Sequence, residues 1–475
     1  MTATERDLSL FKAYDVRGRV PVELDEELAG LIGRGFAQLV GPRRVVVGRD
    51  MRLSGASLTE ALVEGLTAAG VDVVDIGEVG TEQVYFATFS LGVDGGIMVT
   101  ASHNPADYNG MKLVREHAIP VSGDTGLGEI RDSVGRALAA EHSRTGADDA
   151  RDAPPGAKHG TDSDVRGVVS QLDVAPAYLE HLLGYVDPEK LRPLRIVANA
   201  GDGMAGPVVE RLRPHLPFEF VLLNATPDGS FPHGVPNPLL PEKREATATA
   251  VRDSGADFGL AWDGDFDRCF FFDERGEFIE GYYLVGLLAQ QALRRSPGAA
   301  IVHDPRLIWN TIELVKQAGG RPVMHKSGHA FIKERMRRED AAYGGEMSAH
   351  HYFRDFSYCD SGMIPWLLIA ELLCVTGKTL SELVGGRIER YPVSGEINMD
   401  IRDSTAALSR LRSFYGPQTP LEDCTDGVSL EFPRWRVNVR GSNTEPVLRA
   451  NLETRGDPDL LAEKTEEVLT VLREA

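Results

Sequence analysis

Several things are scarce in this chain of 475 residues, and each scarcity excludes a class of protein. The four cysteines, Cys269, Cys359, Cys374 and Cys424, lie far apart and form no C-x-x-C pair. That argues against a disulfide scaffold and predicts reduced thiols in a reducing compartment. No stretch approaches the roughly 18 uninterrupted apolar residues of a membrane-spanning helix. The first residues carry Glu5, Arg6 and Asp7 and no apolar leader, so the expected location is cytoplasmic. Positive charge is in deficit: 51 Lys and Arg stand against 71 Asp and Glu, a formal net charge of -20. A nucleic-acid or membrane-surface binder would need clustered positive charge, so neither partner is expected. A phosphorylated metabolite remains compatible, because a few basic residues in a cleft reverse the local field. No internal sequence repeat is visible either.

What is present suits a soluble enzyme or binding protein, with 42% hydrophobic and 26% charged residues. The length suggests about three domains, two to four being compatible. The 50 glycines suit many tight loops close to a ligand. Val45–Val47 reads as a strand, Ala56–Ala69 as a helix ended by Gly70, and Val71–Ile76 as the next strand. A further strand ends at Met98-Val99. The segment 140–167 carries almost no large apolar residue and reads as a polar linker or loop. The strand–helix rhythm returns from Ala177 to Ile279 and again from Ile301 to Arg337. From about Ser394 it changes: Trp435, Val437 and Val439 alternate as a strand, and Asp457-Pro458 starts a closing helix. The expected architecture is α/β: three similar mixed-sheet domains, 1–170, 171–277 and 278–390, and a C-terminal α+β domain, 391–475.

Four loops carry polar chemistry. Thr100-Ala101-Ser102-His103-Asn104-Pro105 follows an apolar strand, and Pro105 stops that strand. Taken alone it reads as a turn whose short side chains bond their own backbone, although a serine there could act as a nucleophile. Asp263-Gly264-Asp265-Phe266-Asp267-Arg268 sets three carboxylates at alternate positions, a pattern suited to one hard cation. A calcium loop is rejected, because Arg268 stands where that loop needs glycine and a strand follows. A phosphatase with Asp265 as nucleophile stays open. Gly345-Glu346-Met347-Ser348-Ala349-His350 offers an acid and a hydroxyl that could hold sugar hydroxyls. Adjacent His350 and His351 would point to opposite faces of a strand. Arg440-Gly441-Ser442-Asn443-Thr444-Glu445-Pro446 offers a guanidinium fork, hydroxyls and free backbone N–H groups to an anion, with Arg449 adding charge. Gly201-Asp202-Gly203-Met204-Ala205-Gly206 matches a dinucleotide fingerprint, but no acid ends the next strand, so it reads as a tight strand–helix turn.

Taken in order, these four loops resemble those of the α-D-phosphohexomutase family, of the bacterial phosphomannomutase/phosphoglucomutase type. Tyr14-Asp15-Val16-Arg17-Gly18, Asn109-Gly110-Met111-Lys112 and Gly328-His329 extend the likeness over essentially the whole chain. The resemblance implies four domains around one central cleft, each contributing a loop. It implies that Ser102 is the phosphoserine and that Mg²⁺ is bound by Asp263, Asp265, Asp267 and a phosphoserine oxygen. Glu346 and Ser348 would hold sugar hydroxyls; Arg440, Ser442, Asn443 and Thr444 would hold the non-reacting phosphate. Arg17, Lys112, Arg268 and His329 would line the reacting end beside His103, with Lys112 and His329 the candidates for proton transfer. Arg306 would replace the charge of a lysine found in some relatives, and Arg387–Pro392 would be a hinge. The implied activity is interconversion of mannose 1- and 6-phosphates, with glucose phosphates as second substrates and a hexose 1,6-bisphosphate as intermediate and activator. The alternatives are the metal-dependent sugar-phosphate phosphatase and a non-enzymatic sugar-phosphate-binding protein.

Overall fold

The computed structural model describes residues 6–145, 166–401, 403–418, 420–441 and 447–474. Four sheets follow one another along the chain. The first has six strands, in the order Val16–Arg19, Tyr108–Arg115, Gly95–Val99, Arg44–Arg49, Asp72–Glu78 and Val169–Gln171. The second runs Phe278–Ile279, Cys269–Phe272, Phe258–Trp262, Arg195–Asn199, Glu219–Leu223. The third runs Arg321–Met324, Ala300–His303, Tyr343–Gly345, His351–Phe353, Cys359–Asp360. All three are mixed, and in the same way: a parallel set whose last strand turns back into an antiparallel neighbour. The fourth sheet, Val393–Met399, Leu448–Thr454, Trp435–Gly441, Val428–Glu431, Leu421–Asp423, is antiparallel throughout.

That shared switch fixes where loops fall. The serine loop joins Gly95–Val99 to Tyr108–Arg115, and the acidic loop joins Phe258–Trp262 to Cys269–Phe272. The Glu346 loop joins Tyr343–Gly345 to His351–Phe353, and residues 442–446 join the two long strands of the last sheet. Each loop thus leaves the carboxyl end of the strand at which a sheet changes direction, or its counterpart in the last sheet. Ligands of open α/β sheets gather at such ends.

Local sequence explains the frame around them. The helix Glu26–Val40 is capped by the Asp25 carboxylate, which accepts from Leu28 N, and stops at Gly41 in left-handed conformation (φ 62°). The helix Ile364–Thr376 is apolar nearly all round and buried, as a core helix must be. It belongs to a core shared by the second and third units, which also takes in Met51, Tyr85 and Phe86 of the first. The first and last units keep separate cores, around Leu62 and Ile97 and around Val437 and Leu452.

Of the polar segment 140–167, read as a linker or loop, only the two ends are described. The helix Leu127–Thr145 runs into it, and at its other end the Gly167 N–H donates to Thr67 O, near the end of the helix Gly55–Ala68, at 2.9 Å. Val169–Gln171 then becomes the sixth strand. Amphipathic spacing carries the helix past its last large apolar residue, which composition alone does not show. Residues 146–165 lie outside the described residues. Gly203 and Gly206 are packing glycines of a tight turn, since a Cβ would meet Gly264 O at 2.8 Å and Ala225 O at 1.8 Å. No helix among the described residues is long and apolar enough to cross a membrane, and the four cysteines are unpaired.

Candidate active site

Ser102 sits in the left-handed region (φ 49°), where a non-glycine residue must be held by its surroundings. Its N–H donates to Thr100 Oγ1 at 2.9 Å. The buried Arg52 staples the rest of the loop, donating to the carbonyls of Ser102, Asn104, Pro105 and Tyr108 at 2.7–2.8 Å. Arg17 adds bonds to Ala101 O (2.7 Å) and Asn104 Oδ1 (2.5 Å) and is itself oriented by Asp15 at 3.0 Å. So held, the Ser102 hydroxyl donates to Asp263 Oδ2 at 2.7 Å, with His103 Nδ1 3.0 Å away.

The ligand atoms of Asp263, Asp265 and Asp267 lie within 4.8 Å of one another, and all three side chains are buried. Oδ1 of Asp263 and Oδ1 of Asp265 are buried without a hydrogen-bond partner, which fits a cation and is costly otherwise. Lys112 Nζ bonds Asp265 at 2.6 Å and Asp267 at 2.5 Å, and Arg268 bonds Asp263 at 2.7 and 2.8 Å. Burial opposes the charge on Lys112, but Asp265 and Asp267 override it and hold the amine protonated well above its usual range. Burial, then the neighbouring Asp265, pushes Asp267 up to about 6.

The acidic loop is clamped from both sides. Thr81 Oγ1 donates to Asp265 Oδ2 at 2.5 Å, and the Phe266 ring fills the space where a Cβ on Gly80 would stand, 1.9 Å from its Cε1. Next to Thr81, the buried Glu82 accepts from Tyr178 of the second unit and from Gly362 N of the third at 2.6 Å. Three units meet at that carboxylate.

Glu346 Oε1 accepts from Gly328 N at 2.9 Å and its Oε2 from Tyr352 Oη at 2.5 Å. Ser348 Oγ lies 3.1 Å from Arg306 Nη2. His329, packed edge-on to Tyr14 at 4.7 Å, has both ring nitrogens buried and without a hydrogen-bond partner. Burial, with Lys333 behind it, holds its pKa well below the usual histidine value, so the ring is neutral near pH 7. The two adjacent histidines do part: His351 meets Tyr343 Oη at 2.6 Å, while His350 faces Asp360 at 3.0 Å and the cleft.

One cleft of about 440 Å³ brings these groups together, lined by Arg17, Ser102, His103, Lys112, Asp267, Arg268, His329, Glu346, Ser348, Arg440 and Arg449. Ser442, Asn443 and Thr444 lie outside the described residues. Asp265 is fully buried and committed to Lys112 and Thr81, so it is not presented to a substrate as a nucleophile would be; the phosphatase alternative lacks support. Sequence reasoning missed Arg52, Thr81, Glu82 and Glu396, and set aside His350. None has a local motif. Only Thr81, opening a helix after a strand-ending glycine, carried a signal.

Three family models match the chain, described as phosphoglucomutase/phosphomannomutase α/β/α domains I, II and III, over residues 8–139, 176–276 and 280–391. A protein described as phosphohexose mutases from Xanthomonas campestris pv. campestris is 58% identical, across 98% of this chain and 99% of its own length. A phosphomannomutase from Escherichia coli is 54% identical, across 99% and 100%. A crystal structure of a phosphoglucomutase/phosphomannomutase family protein from Burkholderia thailandensis superposes with a TM-score of 0.83 at 33% identity, covering 98% of this chain and 97% of that one.

Proposed function

The chain belongs to the phosphoglucomutase/phosphomannomutase family, the bacterial type of α-D-phosphohexomutase, and from that premise we propose that it interconverts mannose 1-phosphate and mannose 6-phosphate, with glucose phosphates as second substrates. The observation that carries the reading is the contact of Ser102 Oγ with Asp263 inside a buried carboxylate triad, at one end of a cleft whose other end is lined by arginines.

In this mechanism Ser102 carries a phosphoryl group between turnovers and passes it to O6 of a hexose 1-phosphate. The bond from phosphorus to Ser102 Oγ breaks as the bond to O6 forms, and the O6 proton passes to His329, whose neutral imidazole has nitrogens free to receive it. The resulting 1,6-bisphosphate turns round in the cleft, its O1 phosphoryl group returns to Ser102, and the proton returns to O1. Arg17, Arg268 and Lys112 bind the transferring group from three sides, His103 packs beside it, and Glu346 and Ser348 fix sugar hydroxyls. Arg440 and Arg449, with Ser442, Asn443 and Thr444, take the idle phosphate. A divalent cation, Mg²⁺ in our reading, would be held by Asp263, Asp265, Asp267 and a phosphoserine oxygen and would neutralise charge on the transferring phosphoryl group. A hexose 1,6-bisphosphate would restore the phosphoserine if it were lost.

The division into four units, expected at about residues 170, 277 and 390, is part of the same proposal and is supported by the four sheets, which carry Val169–Gln171 into the first unit and Phe278–Ile279 into the second. A cytoplasmic location is supported by the unpaired cysteines. A coupled assay on mannose, glucose and glucosamine phosphates, with a bisphosphate activator present, tests the activity. Turnover of mannose 1-phosphate, together with phosphate on the tryptic peptide containing Ser102, is the expected result. Phosphate release without isomerisation would refute it.

A further inference from the structure

Glu396 stands between three arginines of the cleft, Arg306, Arg440 and Arg449. Its strand breaks register with Leu448–Thr454 between Val393 and Glu396, and Gly395 takes a left-handed conformation (φ 69°). This bulge re-aims the next side chain into the cleft. Glu396 Oε2 lies 3.3 Å from Arg306 Nη1 and 3.4 Å from Arg440 Nη2, and Oε1 lies 3.4 Å from Arg449 Nη1. Arg306 comes from the third unit, Arg440 and Arg449 from the fourth, so one carboxylate gathers cations from two bodies.

The distances separate these contacts from the short ion pairs of the cleft. Arg268 meets Asp263 at 2.7 Å and Arg306 meets Asp304 at 2.6 Å, the range of full charge-assisted bonds. All three contacts of Glu396 are over half an ångström longer. Asp263 and Asp304 are structural partners; Glu396 is held by attraction from three sides without a tight bond to any. Burial raises its pKa, but Arg306, Arg449 and Arg440 pull it below the usual carboxylate range, so it is ionised. Arg306 also pairs with Asp304 and Glu346, and Arg440 lies 3.9 Å from Asp426, but Glu396 is the carboxylate that all three guanidiniums share.

We propose that Glu396 is a resident anion that pre-positions Arg306, Arg440 and Arg449 and competes with the idle phosphate of the substrate for them. The inference rests on the mutase reading for what enters the cleft. It also supplies what that reading needs, because the bisphosphate must release this seat in order to turn round. Without an internal competitor the seat would hold phosphate in the ground state, lowering KM at the expense of kcat. Glu396 acts through the arginines and is a positioning residue.

The test is calorimetric titration of the full chain with inorganic phosphate at fixed ionic strength, beside steady-state kinetics. Glu396→Gln is expected to bind phosphate about tenfold more tightly, with KM for mannose 1-phosphate falling similarly and kcat falling several-fold. Glu396→Asp, which draws the charge back by one methylene, is expected to shift in the same direction by about two- to threefold. A purely structural role predicts the reverse, weaker phosphate binding as the arginines lose their anchor. Unchanged or weaker phosphate binding in either folded variant overturns the inference, and the aspartate variant decides it should the glutamine variant not fold. A wild-type chain that binds phosphate but does not isomerise mannose 1-phosphate would strike down the mutase reading instead, leaving the titration to judge Glu396.

Discussion

The two ends of the cleft handle charge differently. At the serine end Asp263, Asp265 and Asp267 face Lys112 and Arg268 in short, buried ion pairs, and two carboxylate oxygens are left over for a cation. At the far end Arg306, Arg440 and Arg449 share the carboxylate of Glu396, and its contacts are long. In the proposed mechanism one end is preorganised for a transferring group that never leaves the protein for long. The other is arranged for a phosphate that must arrive, hold and depart. Preorganised charge in a buried site stabilises a transition state, whereas loosely held charge sets binding.

Substitutions at the two ends should therefore read out in different kinetic constants. The largest effect is expected of Ser102→Ala, which removes the acceptor of the phosphoryl group: turnover should fall by at least ~10⁴-fold and the phosphopeptide should vanish. Near-normal activity in the coupled assay, with contaminating mutase excluded, would erase the contrast altogether. Chelation of divalent cations, or Asp265→Asn, should cost on the order of 10³-fold in kcat with little change in KM. Arg440→Lys, by contrast, should raise KM about tenfold and leave kcat within a few-fold, since it exchanges a two-pronged donor for a point charge. If both variants altered the same constant, the distinction between the ends would fail.

Gly80→Ala should act on the serine end from beneath, because the new Cβ would occupy the Phe266 ring. A loss of roughly 1–3 kcal/mol, seen as a Tm lower by several degrees, is expected with reduced kcat. The smallest effect concerns Arg387–Pro392, between the third and fourth units. Glu313 accepts from Arg387 at 2.9 Å, from Arg390 at 2.9 and 3.1 Å, and from Tyr391. Burial raises its pKa, but Tyr391, Arg387 and Arg390 bring it down to about 2. A carboxyl depressed in the folded state contributes stability above its ordinary pKa and loses it as pH falls toward 2. Hydrogen exchange at this segment should quicken between about pH 4.5 and 2, and Glu313→Gln should remove that dependence at a cost of about 1 kcal/mol or less.

Much of this was legible in sequence, for a physical reason. A loop that binds charge through its own side chains spells the site locally: three alternate aspartates, a serine before His-Asn-Pro, a glutamate after two glycines. Ser102, Asp267 and Glu346 do line one cleft, and the buried Asp263 and Asp265 meet Ser102 and Lys112 of its lining. The illegible parts act across units. Arg52 lies 50 residues from Ser102 and supports it through a backbone carbonyl, which leaves no pattern. Glu396 reaches the cleft through a one-residue slip of register, invisible to a reading by alternation. The recurrence of one sheet plan was glimpsed only as element order, since the direction of a strand is set by its neighbours and not by its composition.

Glu82 gives the molecule an order of events. A chain emerging from its amino end completes the serine loop while residues 178, 263 and 362 have yet to be made. Glu82 is then a carboxylate on an unfinished surface, and Thr81 has no Asp265 to hold. Tyr178 of the second unit and Gly362 and Met363 of the third together satisfy that carboxylate. The junction ties the serine end to all three units: a fragment that stops before residue 263 has Ser102 without the Asp263 its hydroxyl meets, and Thr81 without Asp265.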